Sequence, residues 1–282
     1  MAQRRPRSPA ALDFTAPSIA RMYDFLLDGK DHYEIDRRAC WELLAFAPGA
    51  KAAALEQRLF RARAVEFLAR EAGIDQFIDM GAGLPAPDAV PGNVHEIARR
   101  VRPGTRTLYV DDDPVVAAHA RTQLDDQAAD VVCADFRQID AVLSHAHRNR
   151  LIDLRQPVAV LFVSVLHCLP DRDDPAALIR QLHQRLVPGS GVVISHLVNE
   201  DAVAGEEATR LMGQLTGGRW GKVRRRQDVH GFFEDLELVP PGLTDVHLWR
   251  GDWSRAENKA SGAPWVEYGG VGLVPPRTAA PS

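Results

Sequence analysis

The acidic residues of this chain fall where an organic cofactor could use them. Phe77-Ile78-Asp79-Met80-Gly81-Ala82-Gly83 puts a carboxylate at the end of an apolar run, directly ahead of a Gly-x-Gly turn. Glycine suits such a turn because the backbone must bend tightly and approach a ligand with no Cβ in the way. Alone, the motif also reads as a plain turn. Two later runs repeat the arrangement. Leu108-Tyr109-Val110 leads into Asp111-Asp112-Asp113-Pro114, and Val131-Val132-Cys133-Ala134 leads into Asp135-Phe136. Asp113 ahead of Pro114 reads as a helix N-cap followed by proline at the first helical position. Asp111, at the end of its run, is placed to accept both ribose hydroxyls of a nucleoside, and Asp112 stands beside it. The bland alternative for Asp79, Asp111 and Asp135 is three capping or solvated acids.

The choice of nucleoside cofactor follows from charge and loop length. Gly81-Ala82-Gly83-Leu84-Pro85-Ala86 also satisfies the dinucleotide pattern G-x-G-x-x-[GA]. A pyrophosphate, however, needs a helix N-terminus close to the turn. Here Pro85, Pro87 and Pro91 make a long loop before Asn93. Asp79 would repel a phosphate and attract an α-amino group. S-adenosylmethionine carries an amine and a sulfonium and matches better. A nicotinamide-dependent oxidoreductase is the lesser alternative, and a non-catalytic sensor of S-adenosylmethionine or S-adenosylhomocysteine is another.

Methyl transfer is an in-line displacement whose electrophile belongs to the cofactor. The protein aligns the acceptor and, for a protonated oxygen or nitrogen, supplies a base. His167, two residues past the apolar run at 157–165, is the first candidate for acceptor contact or base; the competing reading is a structural histidine bonded to backbone. His196 is the second. Ser164, near the end of the same run, is expected at the cofactor. Arg21, Tyr23, Asp24, Lys30, Asp31 and His32 crowd around Gly29. As a lid, this segment would bring Tyr23 or Lys30 to the methionine carboxylate; as a support, it supplies caps and surface ion pairs. Arg219, Lys222, Arg224, Arg225 and Arg226 beside Trp220 suit nucleic acid, a solvated face or a small anion clamp. His145 and His147, two apart on a helix, do not share a face, and no metal site emerges.

The elements that carry these residues alternate. Short apolar runs at 76–80, 106–110, 130–134, 157–165 and 191–196 are separated by helical periodicities at 94–101, 114–124, 139–150 and 175–186. That pattern specifies βαβ units and a parallel sheet, with the nearly continuous run at 158–165 as a central strand covered on both faces. Three helices precede the sheet: one capped by Ser18 and stopping near Gly29, then 33–44 and 51–71. Helices at 201–215 and 228–238 and strands at 244–249 and 266–274 follow it. The domain reading is a disordered tail (1–16), a helical cap (17–72), a cofactor-binding Rossmann-like domain (73–274) and a second disordered tail (275–282).

Several stretches together resemble a known family. They are Pro17 to Asp31, Asp79-Met-Gly-Ala-Gly-Leu-Pro85, Gly92-Asn-Val-His-Glu96, Tyr109-Val-Asp-Asp-Asp-Pro-Val115, Val165-Leu-His-Cys-Leu-Pro-Asp171, Gly231-Phe-Phe233, His247-Leu-Trp249 and Tyr268-Gly-Gly-Val-Gly272. The chain resembles class I S-adenosylmethionine-dependent methyltransferases, and more narrowly the bacterial S-adenosyl methyltransferases with an N-terminal Tyr-Asp-x-Leu-Leu-x-Gly-Lys segment. The resemblance implies an α/β fold: a seven-stranded, mainly parallel sheet of order 3-2-1-4-5-7-6, flanked by helices. It also implies that Asp79, Gly81 and Gly83 hold the methionine end, Asp111 the ribose, and Asp135 and Phe136 the adenine. It names no methyl acceptor; a small molecule is expected.

Composition bounds the rest. The chain has 282 residues, 45% hydrophobic and 26% charged, enough for one large core or two modest ones. A net charge of −4 argues against a nucleic-acid binder that relies on a global basic field. Three cysteines with no Cys-x-x-Cys pair argue against a disulfide framework or thiolate zinc site and suit a cytoplasmic compartment. No run approaches the roughly 20 apolar residues of a membrane helix. The basic start, Met1 to Ala10, lacks the apolar core of a secretory signal. A homodimer is one reading of the oligomeric state, which no residue fixes.

Overall fold

A computed structural model of the chain describes residues 14–86, 91–124, 128–251 and 265–276. Most of the two expected tails and Pro87 lie outside the described residues. Three helices come first: α1 (Ile19–Leu26), α2 (Glu34–Phe46) and α3 (Ala50–Arg70). Then strand and helix alternate through β1 (Gln76–Met80), α4 (Val94–Val101), β2 (Arg106–Asp111), α5 (Pro114–Gln123), β3 (Ala129–Cys133), α6 (Ile139–Arg148), β4 (Ala159–Val163), α7 (Pro175–His183) and β5 (Gly191–Val198). The chain continues through α8 (Ala202–Leu215), α9 (Arg226–His230), β6 (Glu237–Leu238), β7 (Thr244–Asp245) and β8 (Val266–Leu273).

The strand order is β3-β2-β1-β4-β5-β8-β6. β1 to β5 pair in parallel, and β8 runs antiparallel to β5 from Gly191↔Leu273 to Val198↔Val266. This is the expected class I methyltransferase order with one addition: the two-residue β7, which pairs with β8 at Gly269 and Tyr268. Side-chain alternation gives the sheet two buried faces. Ile78, Met80, Val110, Phe162 and Ile194 pack with α6 and α7. Phe77, Tyr109, Leu161, Val193 and Val271 pack with α3 and α4. Every residue of β4 is buried, which is why its sequence reads as continuous apolar.

The N-terminal helices divide. α3 lies on the sheet through Phe60, Val65 and Leu68, while α1 and α2 share a small core of Met22, Leu26, Leu27, Ala39 and Cys40 with Ala54 and Met212. Arg21 and Asp36, both fully buried, pair at 2.8 Å. Asp36 also accepts from the backbone N–H groups of Ser18 and Tyr33 at 2.9 Å each. Asp24 accepts from Asp31 N at 2.8 Å and lies 3.0 Å from His32 Nδ1. A Cβ on Gly29 would sit 1.9 Å from the Asp24 carboxylate, so the turn admits only glycine. Much of the polar crowding around Gly29 is therefore local bracing.

Three expectations are corrected. The Ser18 side chain does not cap α1; its hydroxyl donates instead to Asp113 Oδ2 at 2.7 Å and ties α1 to the end of β2. The helix expected at 228–238 is only α9 followed by a 3-10 turn (Gly231–Phe233), because Phe232 and Phe233 turn into the core and Asp235 takes a φ of +66°. The strand expected at 244–249 stops after Asp245, where the chain turns to bury Trp249 edge-on against Phe60 and Phe67. No helix among the described residues is long and apolar enough to cross a membrane.

Candidate functional site

The carboxyl ends of β1, β2, β4 and β5 meet beneath α1 and α3. The turn after β1 is fixed by backbone: Gly81 N and Ala82 N both donate to Val110 O, at 2.8 and 3.1 Å. Gly81 and Gly83 have φ of +70° and +67°, a region side-chain-bearing residues disfavour. A Cβ on Gly81 would lie 2.3 Å from Val165 Cγ2, whereas one on Gly83 would meet none of the described residues within 4 Å. Gly81 thus answers to packing against the segment after β4. Gly83 opens onto space that no described residue fills.

Asp111 faces that turn from β2. Its carboxylate accepts from Gly83 N and Asp113 N, both at 2.9 Å. Burial pushes its pKa up to about 7, against the pull of these two donors. Asp113 accepts from Val115 N at 2.9 Å and caps α5, with Pro114 at the first helical position. Asp112 is exposed beside them, its pKa raised by partial burial and by the Asp135 and Asp113 carboxylates.

Asp79 points from β1 toward α3. It is 2% exposed, and Arg61 Nη1 stands 3.4 Å from its Oδ2. Burial raises its pKa; Arg61 and Arg58 oppose. Arg58 is 5% exposed and donates to Leu84 O at 3.3 Å, just past the glycine turn. Yet Arg58 Nε and Nη1 and Arg61 Nε and Nη2 are buried with no hydrogen-bond partner among the described residues. Buried guanidinium N–H groups are seldom left so, because losing water without a partner is costly. Burial, then Arg61, brings the Arg58 pKa down to about 9, which leaves it charged at neutral pH.

A second polar group adjoins the first. Tyr23 of α1 donates to Gln57 Oε1 at 2.5 Å and lies beside Ser164, Glu267 and Arg58. Burial, then Glu267, lifts its phenol well above the usual range. Ser164 adopts a φ of +57° just past β4. Its hydroxyl donates to Glu267 Oε1 at 2.8 Å, and Ser195 Oγ of β5 donates to Glu267 Oε2 at 2.8 Å. Glu267, on β8, is 6% exposed; burial pushes its carboxyl up to about 7, while the two serines pull it down.

The other expected residues fall around this centre. The Asp135 carboxylate is gripped by Arg137, Nη2 at 2.6 Å and Nε at 2.9 Å, and Arg137 also reaches Asp173. Phe136 packs edge-on to Phe162. Lys30 is exposed, outside the buried cluster. His167 is buried and stacks on Trp220 at 4.3 Å, and Leu197 N lies 3.5 Å from its Nδ1. Burial, then Arg224, brings its pKa down to about 3, so the imidazole is neutral. His196 Nε2 lies 3.0 Å from Arg224 Nη1. The basic run is largely spent on partners: Lys222 and Arg224 on Asp171, Arg226 on Glu200 and Asp245. Asn93 and Tyr109 brace the glycine loop and α4, through Ala86 N to Asn93 Oδ1 at 2.9 Å and His95 N to the Tyr109 hydroxyl at 3.0 Å. Among the described residues, no group of three or more His, Cys, Asp or Glu could hold a metal ion.

Sequence reasoning missed Arg58, Arg61 and Glu267. The signal for the arginines was present: Gln57, Arg58 and Arg61 fall at helical spacing with Ala54, Ala64, Val65 and Leu68, inside the buried stripe of α3. Polar residues within an apolar stripe mark either a satisfied network or a ligand.

Comparison with known proteins agrees with this architecture. A family profile described as S-adenosyl methyltransferase matches residues 5–275. A candidate methyltransferase from Thermobifida fusca is 37% identical, superposes with a TM-score of 0.85, and is matched over 94% of this chain and 97% of its own. A DUF574 family protein from Streptomyces avermitilis is 31% identical with the same TM-score, over 94% of this chain and 100% of that one. An O-methyltransferase family protein from Burkholderia thailandensis, 13% identical over 87% of this chain and 62% of its own, shares the fold alone, with a TM-score of 0.51. Among curated proteins no sequence matches the chain.

Proposed function

The chain belongs to the S-adenosyl methyltransferase family and is an S-adenosylmethionine-dependent methyltransferase, and from that premise we propose how its residues hold the cofactor and what they offer an acceptor. The observation that carries the proposal is the four guanidinium nitrogens of Arg58 and Arg61 that have no partner among the described residues, beside Asp79 and the glycine turn. They fit a carboxylate, and Asp79 fits an ammonium. The methionine end of the cofactor carries both. Asp111, anchored at Gly83, fits a ribose hydroxyl pair, and the open space at Gly83 leaves room for the chain between. In this reading Arg58 and Arg61 take the carboxylate that Tyr23 or Lys30 was expected to meet. Tyr23 closes the wall of the site from α1, together with Ser164. Asp112, Asp135 and Phe136 border the adenine side.

When bound, the cofactor supplies an electrophilic methyl group. The protein's part is to orient, to exclude water and to place the acceptor. The acceptor we propose is a small molecule entering near the end of β4. His167, neutral and stacked on Trp220, is our candidate for acceptor contact; its low pKa suits a hydrogen bond better than proton storage. Calorimetric titration with S-adenosylhomocysteine tests the cofactor arrangement. Asp111→Ala is expected to weaken binding at least about tenfold, the scale of a charge-assisted hydrogen bond. An unchanged dissociation constant would remove Asp111 from the site. NAD is expected to give no binding heat.

A further inference from the structure

Charge on this site is unevenly spread. On the α3 side, two guanidinium groups face one carboxylate, Asp79. On the β8 side, Glu267 is buried and receives only two serine hydroxyls; none of the described cations pairs with it. A buried carboxylate without a cation is the mirror image of a buried guanidinium without an anion, and each is costly unless a ligand supplies the missing charge. The two ends are contiguous. Val165, the residue after Ser164, fills the space against Gly81, and Tyr23 touches the surroundings of Ser164, Glu267 and Arg58 together.

We infer that Glu267 is the anionic partner of the cofactor's sulfonium, and that it lets the site tell the charged methyl donor from its neutral product. The inference rests on the cofactor reading above. With the carboxylate assigned to Arg58 and Arg61 and the ammonium to Asp79, the sulfonium is the one cofactor charge left; Asp111 is committed to Gly83 N, Asp113 N and the ribose, which leaves Glu267, held by two serine hydroxyls and no described cation, as the buried carboxylate free to meet it. Ser164 and Ser195 hold the carboxylate in place, and Ser164 keeps its left-handed backbone where Ser195 O and Oγ both lie 3.1 Å from its N–H. After transfer the sulfur is a neutral thioether, so the attraction ends and product leaves more readily.

The burial that raises Glu267 to about 7 gives the inference a pH signature. The groups facing it are Tyr23 from α1, with Arg58 and Arg61 of α3 acting through Tyr23, and Ser164 and Ser195 from the sheet. Tyr23 stays neutral and Arg58 stays charged across pH 6 to 8. Asp111, raised to about 7 by its own burial, titrates in the same window, so the part of the wild-type pH dependence that belongs to Glu267 is the part that Glu267→Gln removes. The test is calorimetric binding of S-adenosylmethionine and S-adenosylhomocysteine to the whole protein at pH 6 and pH 8, for wild type and Glu267→Gln. We expect wild type to favour the donor over the product about tenfold more at pH 8 than at pH 6. Glu267→Gln should lose the donor by about that factor at pH 8, hold the product within twofold, and show a flatter ratio with pH. Equal weakening of both ligands, or no change in either, overturns the inference and leaves the cofactor reading standing. Wild type binding neither ligand overturns both. Should the variant fail to fold, a wild-type ratio that does not change with pH overturns the inference, and a ratio that changes is measured again in Asp111→Asn, where its loss overturns the inference and its persistence supports it.

Discussion

At the scale of single residues, the site is a set of buried charges whose partners are incomplete in the protein alone. Arg61 answers Asp79 at 3.4 Å, yet both arginines keep unused N–H groups. Replacing Arg61 with methionine leaves the carboxylate of Asp79 buried with one cation fewer. The expected cost is about 3 kcal/mol in unfolding free energy, the scale of breaking a buried pair, with loss of S-adenosylhomocysteine binding. Chemical denaturation and calorimetry on the same variant would show whether both effects occur; loss of stability with intact binding would leave Arg61 a structural residue. Asp79 and Asp111 were legible because strand-end acids beside a glycine turn stand out in the sequence. Arg58 and Arg61 were passed over although they fall in the apolar stripe of α3, because an arginine on a helix reads as solvated, and Glu267, in a late strand, carried no signal until the fold buries it.

At the scale of elements, two glycines two residues apart have different jobs. Gly81→Ala puts a Cβ 2.3 Å from Val165 at a φ of +70° and should displace the segment after β4. A loss of about 2 to 4 kcal/mol is expected from strain and overpacking together. Gly83→Ala carries the backbone strain alone, about 1 to 2 kcal/mol, but fills the open side of the turn, so its main effect should be on cofactor affinity. Melting temperatures and binding constants for the pair would show whether the two costs separate. The α1 segment is held by the buried Arg21–Asp36 pair. Arg21→Met should cost about 3 kcal/mol and loosen α1 from β2, where Ser18 meets Asp113. Faster amide exchange in residues 19–26 would report it. The strand–helix alternation was readable because periods of 2.0 and 3.6 residues differ plainly. The region after α8 was not: Phe232, Phe233 and Trp249 have the apolar spacing of regular elements but are buried from turns.

At the scale of the whole molecule, the buried carboxyls link stability to pH. Glu267 has a pKa of about 7 in the folded chain, against 4.5 when free. Between those values the folded state keeps a proton that the unfolded state releases, so stability falls as pH rises through this window. The full penalty, reached above pH 7, is about 3 kcal/mol. Asp111, also near 7, adds in the same direction. Glu267→Gln removes one of these terms. Its stability relative to wild type should therefore improve from pH 5 to pH 8, as read from denaturant midpoints; a constant difference would mean that Glu267 does not titrate in that range. The sequence by itself determined the alternating sheet, the glycine turn and the acids at three strand ends, because each follows from local periodicity or from the backbone freedom of one residue type. Only the tertiary structure decided that α3 turns two arginines toward Asp79, and that β8 returns antiparallel to set Glu267 against Ser164 and Ser195. Those encounters join residues more than a hundred positions apart in the case of Ser164 and Glu267. The charge of a side chain is written in the sequence, whereas the loss of its water and the choice of its partner arise only when the chain closes around it.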